Sequence, residues 1–271
     1  MKPDDFTYVS TLLMERSGLV ITPDKAYLLE SRLMPVARKH GLMGLGELIE
    51  ELRKAGKDEL VVDVTEAMTT NETFFFRDTI PFDLFRDQIL PPLLESRVDT
   101  KSLRIYCAAA SSGQEPYSLA IILKEQAANL VGWKIDIIAT DISKEILRKA
   151  EAGLYSQFEV QRGLPIQMLV KYFEKQDEQW LISKEIRDMV TFKDYNLLGD
   201  LTPLGRFDVV FCRNVLIYFD HKNKTKVLDG ISKLMPEDGT LFLGGAETVL
   251  GISERFMPVP GQRGVYGIVP G

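Results

Sequence analysis

Histidine, cysteine and tryptophan are scarce in this 271-residue chain, at two residues each. His40 and His221 stand outside any metal-ligand or nucleophile spacing, so metal hydrolysis, serine or cysteine triads and histidine-centred acid–base chemistry have little to stand on. Cys107 and Cys212 each lie inside a strand-like apolar run rather than in a metal-type pair, which predicts buried free thiols. No apolar run reaches the roughly 18 residues of a membrane span. The N-terminus, Met1-Lys2-Pro3-Asp4-Asp5, is acidic and polar where a signal peptide would be basic and then apolar, and the expectation is a cytoplasmic protein without membrane insertion. A basic surface is also lacking. With a net charge of -6 the chain is ill suited to nucleic acid as a main partner, because phosphate neutralisation needs clustered cations.

What is present divides into two patterns. Residues 4 to 16 carry apolar side chains at helical spacing and stop at Gly18. In a second helix Thr22 is placed as N-cap, Pro23 at the first helical position, and Gly41 after its end. Two more helices are expected at about 45 to 55 and 58 to 68, giving a small all-α bundle. The second helix carries Lys25, Arg32, Arg38 and Lys39, a local basic bias in an acidic chain; by itself this is either a solvated face or a docking surface.

From about residue 100 short apolar strands alternate with helices, as in a doubly wound α/β sheet. Strands are expected at 103–110, 135–141, 190–195, 207–212 and 239–243, with a terminal antiparallel hairpin over 256–259 and 264–269. Residues 154 to 188 break the alternation and leave room for a helix and a small antiparallel β insertion. The domain reading is 1–72 helical, 73–95 linker and connecting helix, and 96–271 α/β, with the β subdomain at about 160–190.

Ligands of such sheets sit outside the carboxyl ends of the strands. There the sequence places Ser111 to Glu115, Asp141, Asn196-Leu197 and Arg213-Asn214. Asp141 is either a ribose-binding carboxylate or a turn cap. The turn Ala109-Ala110-Ser111-Ser112-Gly113-Gln114-Glu115-Pro116 has one glycine where a dinucleotide fingerprint needs three, and no phosphate-binding lysine. Glu115 would repel a phosphate and suit an ammonium or sulfonium, which points to S-adenosylmethionine. Thr69-Thr70-Asn71-Glu72-Thr73-Phe74-Phe75-Phe76-Arg77 sets polar groups and an arginine beside three adjacent aromatics. That cluster is either an interdomain packing anchor or the lining of a groove.

Taken in order, the 69–77 run, the segment from Ala109 to Ser118, Asn196-Leu197-Leu198, and Phe207-Asp208-Val209-Val210-Phe211-Cys212-Arg213-Asn214-Val215-Leu216-Ile217-Tyr218-Phe219 resemble the chemoreceptor methyltransferases of bacterial chemotaxis, the CheR family. The resemblance runs to about residue 250. It implies a small all-α N-terminal domain followed by a class I, Rossmann-like methyltransferase domain with a small antiparallel β insertion. It implies methylation of glutamate side chains on the chemoreceptor cytoplasmic helical bundle, with S-adenosylmethionine as methyl donor and S-adenosylhomocysteine as product; the further expectations are a monomer and no metal. Asn71, Thr73, Arg77, Glu115, Asp141, Asn196, Leu197, Arg213 and Asn214 would line the cofactor pocket, with Arg77 and Tyr218 nearest the transferred methyl. Lys25, Arg32, Arg38 and Lys39 would dock the receptor. The commoner family form of the strand-end turn reads Cys-Ser-Thr-Gly-Glu-Glu where this chain has Ala-Ser-Ser-Gly-Gln-Glu, a departure that leaves Glu115 in place. Some members bind a receptor tether on the β subdomain through a longer, glycine-containing loop. The Tyr172–Trp180 stretch is short and without glycine, which favours tether-independent action.

Two other readings compete. A nicotinamide-dependent oxidoreductase lacks its glycines here, and a non-catalytic S-adenosylmethionine-sensing module that docks a helical partner would not need both Arg77 and Tyr218.

Overall fold

In the N-terminal segment apolar residues recur at helical spacing, and the computed structural model, which describes residues 1–270, forms four helices there. They are α1 (Pro3–Ser17), α2 (Ala26–Lys39), α3 (Leu45–Leu52) and α4 (Asp58–Met68). Val9 and Leu13 of α1, Leu29 and Leu33 of α2, Leu48 of α3 and Val64 of α4 share one buried cluster. Gly18 ends α1 in the left-handed region at φ 75°. Thr22 has the extended backbone of a cap, but it opens a 3-10 turn (Pro23–Lys25) and its side chain makes no cap bond, so the expected N-cap is positional only. By packing, this helical unit comprises Met1–Thr70 together with Tyr218–Asn223.

The second unit, Asn71–Ile217 and the chain from Lys224 on, has its own core. After α5 (Ile80–Leu84), a single π turn and α6 (Leu90–Ser96) come β1 (Ser102–Ala108), α7 (Gln114–Glu125), β2 (Lys134–Asp141) and α8 (Lys144–Ala152). Ser143 caps α8 as expected, accepting from the Ile146 amide at 3.2 Å. The insertion follows: β3 (Leu154–Ser156), α9 (Gln157–Gln161), α10 (Ile166–Tyr172), β4 (Phe173–Gln176), β5 (Gln179–Ile182) and α11 (Lys184–Arg187). The chain then adds β6 (Val190–Asp194), β7 (Val209–Cys212), α12 (His221–Ser232), β8 (Thr240–Leu243), β9 (Phe256–Pro258) and β10 (Val265–Ile268).

The main sheet has the order β6-β2-β1-β7-β8-β10-β9. Its first five strands are parallel, and β10 runs antiparallel to β8 and β9, the expected hairpin. Its central strands are short apolar runs; β7 and β8 are buried at every position, as parallel strands covered on both faces must be. Cys107 and Cys212 are free and buried. The insertion forms a separate antiparallel sheet of order β3-β5-β4, with a two-residue turn at Asp177-Glu178.

β1 was expected to run to Ala110 and stops at Ala108. Ala109 turns left-handed, at φ 54°, and strand geometry cannot continue through it. The turn begins earlier than the apolar pattern suggests because alanine is silent about which backbone region it occupies.

Candidate active site

Strand order reverses at β1, which pairs with β2 on one side and β7 on the other, and ligands of open α/β sheets sit beyond the carboxyl ends of the strands at such a point. The β1–α7 turn takes its shape from three left-handed residues, Ala109, Ser111 and Gly113 (φ 54°, 50° and 90°). For the first two this costs on the order of 1–2 kcal/mol each, so the neighbours must hold them. Ser111 N–H donates to Asp141 Oδ2 at 2.9 Å, Ala110 N–H to the Thr140 carbonyl at 2.8 Å, and Tyr155 Oη–H to the Ser112 carbonyl at 2.7 Å. Gly113 is required for φ and for space: a Cβ there would lie 3.0–3.1 Å from Ala150, Phe192 and Tyr117.

Asp141, 6% exposed, also accepts from Ser143 N–H at 3.0 Å through Oδ1. It is therefore a turn cap, as one reading held. Each carboxylate oxygen has a second lone-pair direction, so capping does not exclude an additional hydroxyl partner.

Glu115 and Arg213 form the charged floor. The Arg213 side chain is 1% exposed; its Nη1 donates to Glu115 Oε2 at 2.8 Å, and its Nη2 to Asp78 Oδ2 at 2.6 Å and the Arg77 carbonyl at 3.0 Å. Both terminal nitrogens of the guanidinium are thus engaged behind Glu115, where Arg213 offsets a buried carboxylate. Burial pushes the Glu115 carboxyl above its ordinary range, and Arg213 opposes that rise.

Asn214 is left-handed at φ 59°. Its amide donates to Glu247 Oε2 at 2.8 Å, and the same carboxylate accepts from Val215 at 2.9 Å, Ile217 at 3.3 Å and Gly244 at 2.7 Å. Glu247, in the loop after β8, was not singled out from sequence; the signal available was an acid just beyond a glycine pair at a strand end.

In the segment preceding α5 the three phenylalanines separate, as no single face could hold them all. Phe75 is fully buried, edge-on to Tyr155 and Phe173 of the insertion at 5.0 and 5.5 Å. Phe76 meets Phe82 at 5.5 Å, and its amide donates to Ser118 Oγ at 2.9 Å. Phe74 stays half-buried under the guanidinium of Arg162, 4.3 Å from the ring centre. Ser111 Oγ–H donates to the Asn71 carbonyl at 2.9 Å, which ties this segment to the β1–α7 turn. Thr73 and Arg77 are half-buried, and Arg77 Nη1 donates to the Glu72 carbonyl at 2.7 Å. Asn196 Oδ1 accepts from the Leu198 amide at 2.9 Å, while Leu197 is buried beside it. The segment is thus a packing anchor tied to the β1–α7 turn.

Tyr218 belongs to the helical unit, where its carbonyl accepts from the Val20 amide at 3.0 Å. Of the basic residues of that unit, Lys25 and Arg38 are exposed, and Lys39 pairs with Asp63 at 2.8 Å. Arg32 is turned inward: its Nη1 donates to the Met68 and Thr69 carbonyls at 2.9 and 3.0 Å. The Arg32 guanidinium thus pins the end of α4.

The donor set fits S-adenosylmethionine. Two carboxylates, Glu115 and Asp141, stand at the ends of β1 and β2, and the turn between β1 and α7 has a single glycine, so cationic and hydroxyl groups are matched and phosphate is not.

Comparison with known proteins gives two family matches: the CheR methyltransferase all-alpha domain over residues 4–69 and the CheR methyltransferase SAM binding domain over residues 71–265. Chemotaxis protein methyltransferase 1 of Pseudomonas aeruginosa is 39% identical over 267 residues, 96% of both chains. Chemotaxis protein methyltransferase Cher2 of Pseudomonas putida is 36% identical over 265 residues, again 96% of both. The chemotaxis protein methyltransferase of Escherichia coli is 33% identical over 260 residues, 93% of this chain and 86% of the relative.

Proposed function

Because the chain belongs to the CheR methyltransferase family, whose SAM binding domain it carries, we propose that it methylates glutamate side chains on the cytoplasmic helical bundle of chemoreceptors, forming glutamyl methyl esters. The observation that carries this reading is the Glu115–Arg213 floor beside Asp141: buried, acidic at the rim and without a phosphate cradle.

S-adenosylmethionine, when bound, supplies a sulfonium methyl that is already electrophilic. Glu115 would meet its ammonium, Asp141 its ribose hydroxyls, and Asn71, Thr73, Asn196, Leu197 and Asn214 would complete the lining. Arg213 acts from behind by holding Glu115.

The acceptor glutamate, with an ordinary pKa of about 4.3, is ionised at neutral pH, so no general base is needed and the scarcity of histidine is no handicap. The residues must instead align and desolvate. Orientation supplies on the order of 7–11 kcal/mol in favourable cases. Stripping water from a carboxylate costs several kcal/mol, and a forked guanidinium is the natural group to offset it. Arg77 takes that part, either on the acceptor carboxylate or on the carboxylate of the cofactor, and Tyr218 contributes a hydroxyl or ring face near the methyl. Exposed Lys25, Arg38 and Lys39 suit an acidic receptor helix, since surface charge steers encounter. The two-residue Asp177-Glu178 turn of the insertion favours action without a receptor tether. No helix of the described residues is long and apolar enough to cross a membrane, in keeping with a cytoplasmic site of action.

The test is incubation with methyl-labelled S-adenosylmethionine and receptor cytoplasmic fragments. A base-labile label, as a methyl ester gives, supports the reading; a base-stable label assigns a different acceptor. Arg77→Ala with retained S-adenosylhomocysteine affinity and lost turnover places Arg77 on the acceptor, whereas equal loss of both places it on the cofactor.

A further inference from the structure

The insertion reaches the segment that carries Arg77 at several separate points. Arg162, between α9 and α10, donates through Nη2 to Glu72 Oε1 at 2.8 Å and lays its guanidinium 4.3 Å from the centre of the Phe74 ring. Gly163 approaches so closely that a Cβ would lie 2.0 Å from the Phe75 carbonyl oxygen. Tyr155 and Phe173 enclose Phe75, and Tyr155 also bonds the β1–α7 turn through the Ser112 carbonyl. The insertion is itself fixed to α7: Glu125 accepts from Lys171 at 2.6 Å and from the Tyr172 hydroxyl, and Lys124 pairs with Glu185 at 2.7 Å.

Arg77 uses the same two residues that Arg162 grips. Its Nη1 donates to the carbonyl of Glu72, whose side chain Arg162 holds, and its guanidinium lies 5.6 Å from the same Phe74 ring. The carboxyl of Glu72 is held below its ordinary range by Arg162 first and by Arg77 less, so it stays ionised across the neutral range. An arginine side chain has many rotamers, and two fixed contacts on a short segment are what restrict it. A half-exposed ion pair adds little to stability, which leaves placement as the stronger account of Arg162.

We infer that Arg162 is a positioning residue for methyl transfer: through Glu72 and Phe74 it sets where the Arg77 guanidinium stands, so the β insertion is part of the catalytic framework. This rests on the reading of Arg77 as a residue that acts in the reaction.

The test is a double-mutant cycle on receptor-fragment methylation with wild type, R162A, R77A and R162A/R77A. A misplacement near 1 Å can cost up to about a hundredfold in rate, and R162A is expected to lower kcat by on the order of tenfold with an unchanged melting midpoint. On the R77A background the same substitution should change kcat by less than about twofold, the limit for uncoupled sites. An equal loss on both backgrounds, or no loss in R162A alone, overturns the inference. E72Q cuts the same ion pair from an exposed side chain and should repeat the R162A result; an unaffected E72Q also counts against it. A second readout needs no methyl acceptor and so separates this inference from the proposed function. In nitrogen-15 spectra of arginine side chains, R162A should shift or broaden the Arg77 Nε–H signal and leave that of Arg97, held by Asp208 and Asp238, in place. An Arg77 signal unchanged by R162A refutes the positioning role even if receptor methylation is never observed.

Discussion

Glu247 holds Asn214 in a left-handed conformation, accepting its amide at 2.8 Å from a position beyond the next strand of the sheet. Because the same carboxylate takes the amides of Val215, Ile217 and Gly244, it joins the loops after β7 and β8 into one rim. An anion that accepts several backbone amides needs no cation partner, and its removal strands all of them together.

Glu247→Gln therefore has a large expected effect for a conservative change. The amide group offers one acceptor oxygen and presents donors where Oε1 or Oε2 accepted. A loss of about 3 kcal/mol follows from hydrogen bonds to a charged group, or near 5 °C of melting midpoint for a chain of this size. Calorimetric titration should show S-adenosylhomocysteine binding at least about tenfold weaker, each tenfold being about 1.4 kcal/mol.

Glu115 predicts a pH dependence with opposite signs for folding and binding. Its carboxyl is raised by burial, so on acidification it protonates above the ordinary glutamate value of about 4.3. Only the ionised form attracts an ammonium, so S-adenosylhomocysteine affinity should fall as pH is lowered, starting above that ordinary value. For folding the sign reverses: a raised carboxyl stabilises most below its unfolded pKa, and that contribution is lost as pH rises through the folded value. Titration calorimetry from pH 8 to pH 5 on wild type and Glu115→Gln isolates the residue. The variant should bind weakly and lose this component of the pH dependence; parallel curves would exclude Glu115 as the ammonium partner.

Gly163→Ala meets both a backbone and a packing obstacle. Its φ is +83° and the added Cβ would lie 2.0 Å from the Phe75 carbonyl oxygen. Gly261, at φ +75° with nothing within 4 Å of its Cβ, carries only the first obstacle. Gly261→Ala is expected to cost about 1–2 kcal/mol, and Gly163→Ala clearly more, with methylation depressed beyond the change in folded fraction. Urea unfolding and initial rates on the two variants check the ordering.

Lys25→Glu with Arg38→Glu should slow receptor methylation several-fold at low salt, with the difference shrinking as salt screens it over a Debye length of about 8–10 Å. Affinity for S-adenosylhomocysteine should not move. Lys39 is the poorer probe, since its partner Asp63 would be left facing a second acid.

Much of this fold was legible because its central strands are short apolar runs between turn residues and its helices have clear ends. Ser143, Gly18 and the parallel strands followed from local chemistry. The polar residues beyond the strand ends were legible, and Asp141 ends β2 while Glu115 and Asn214 follow β1 and β7. Their roles were less so. Asp141 caps a turn, and Arg213 is buried by its partners, because an arginine's direction depends on carboxylates 98 and 135 residues away. Glu247 and Arg162 were missed for the same reason: their partners lie 33 and 90 residues off, and a carboxylate that binds backbone amides leaves no complementary side chain to notice.

The helical unit is not a contiguous stretch of chain, since Tyr218–Asn223 packs with Met1–Thr70. Cutting the gene at residue 70 therefore removes one wall of that unit along with the rest, including the carbonyl that receives the Val20 amide. Exchanging helical domains between relatives would require grafting two segments, and a chimera carrying only the first would report on a mismatched Tyr218 as much as on the exchanged helices.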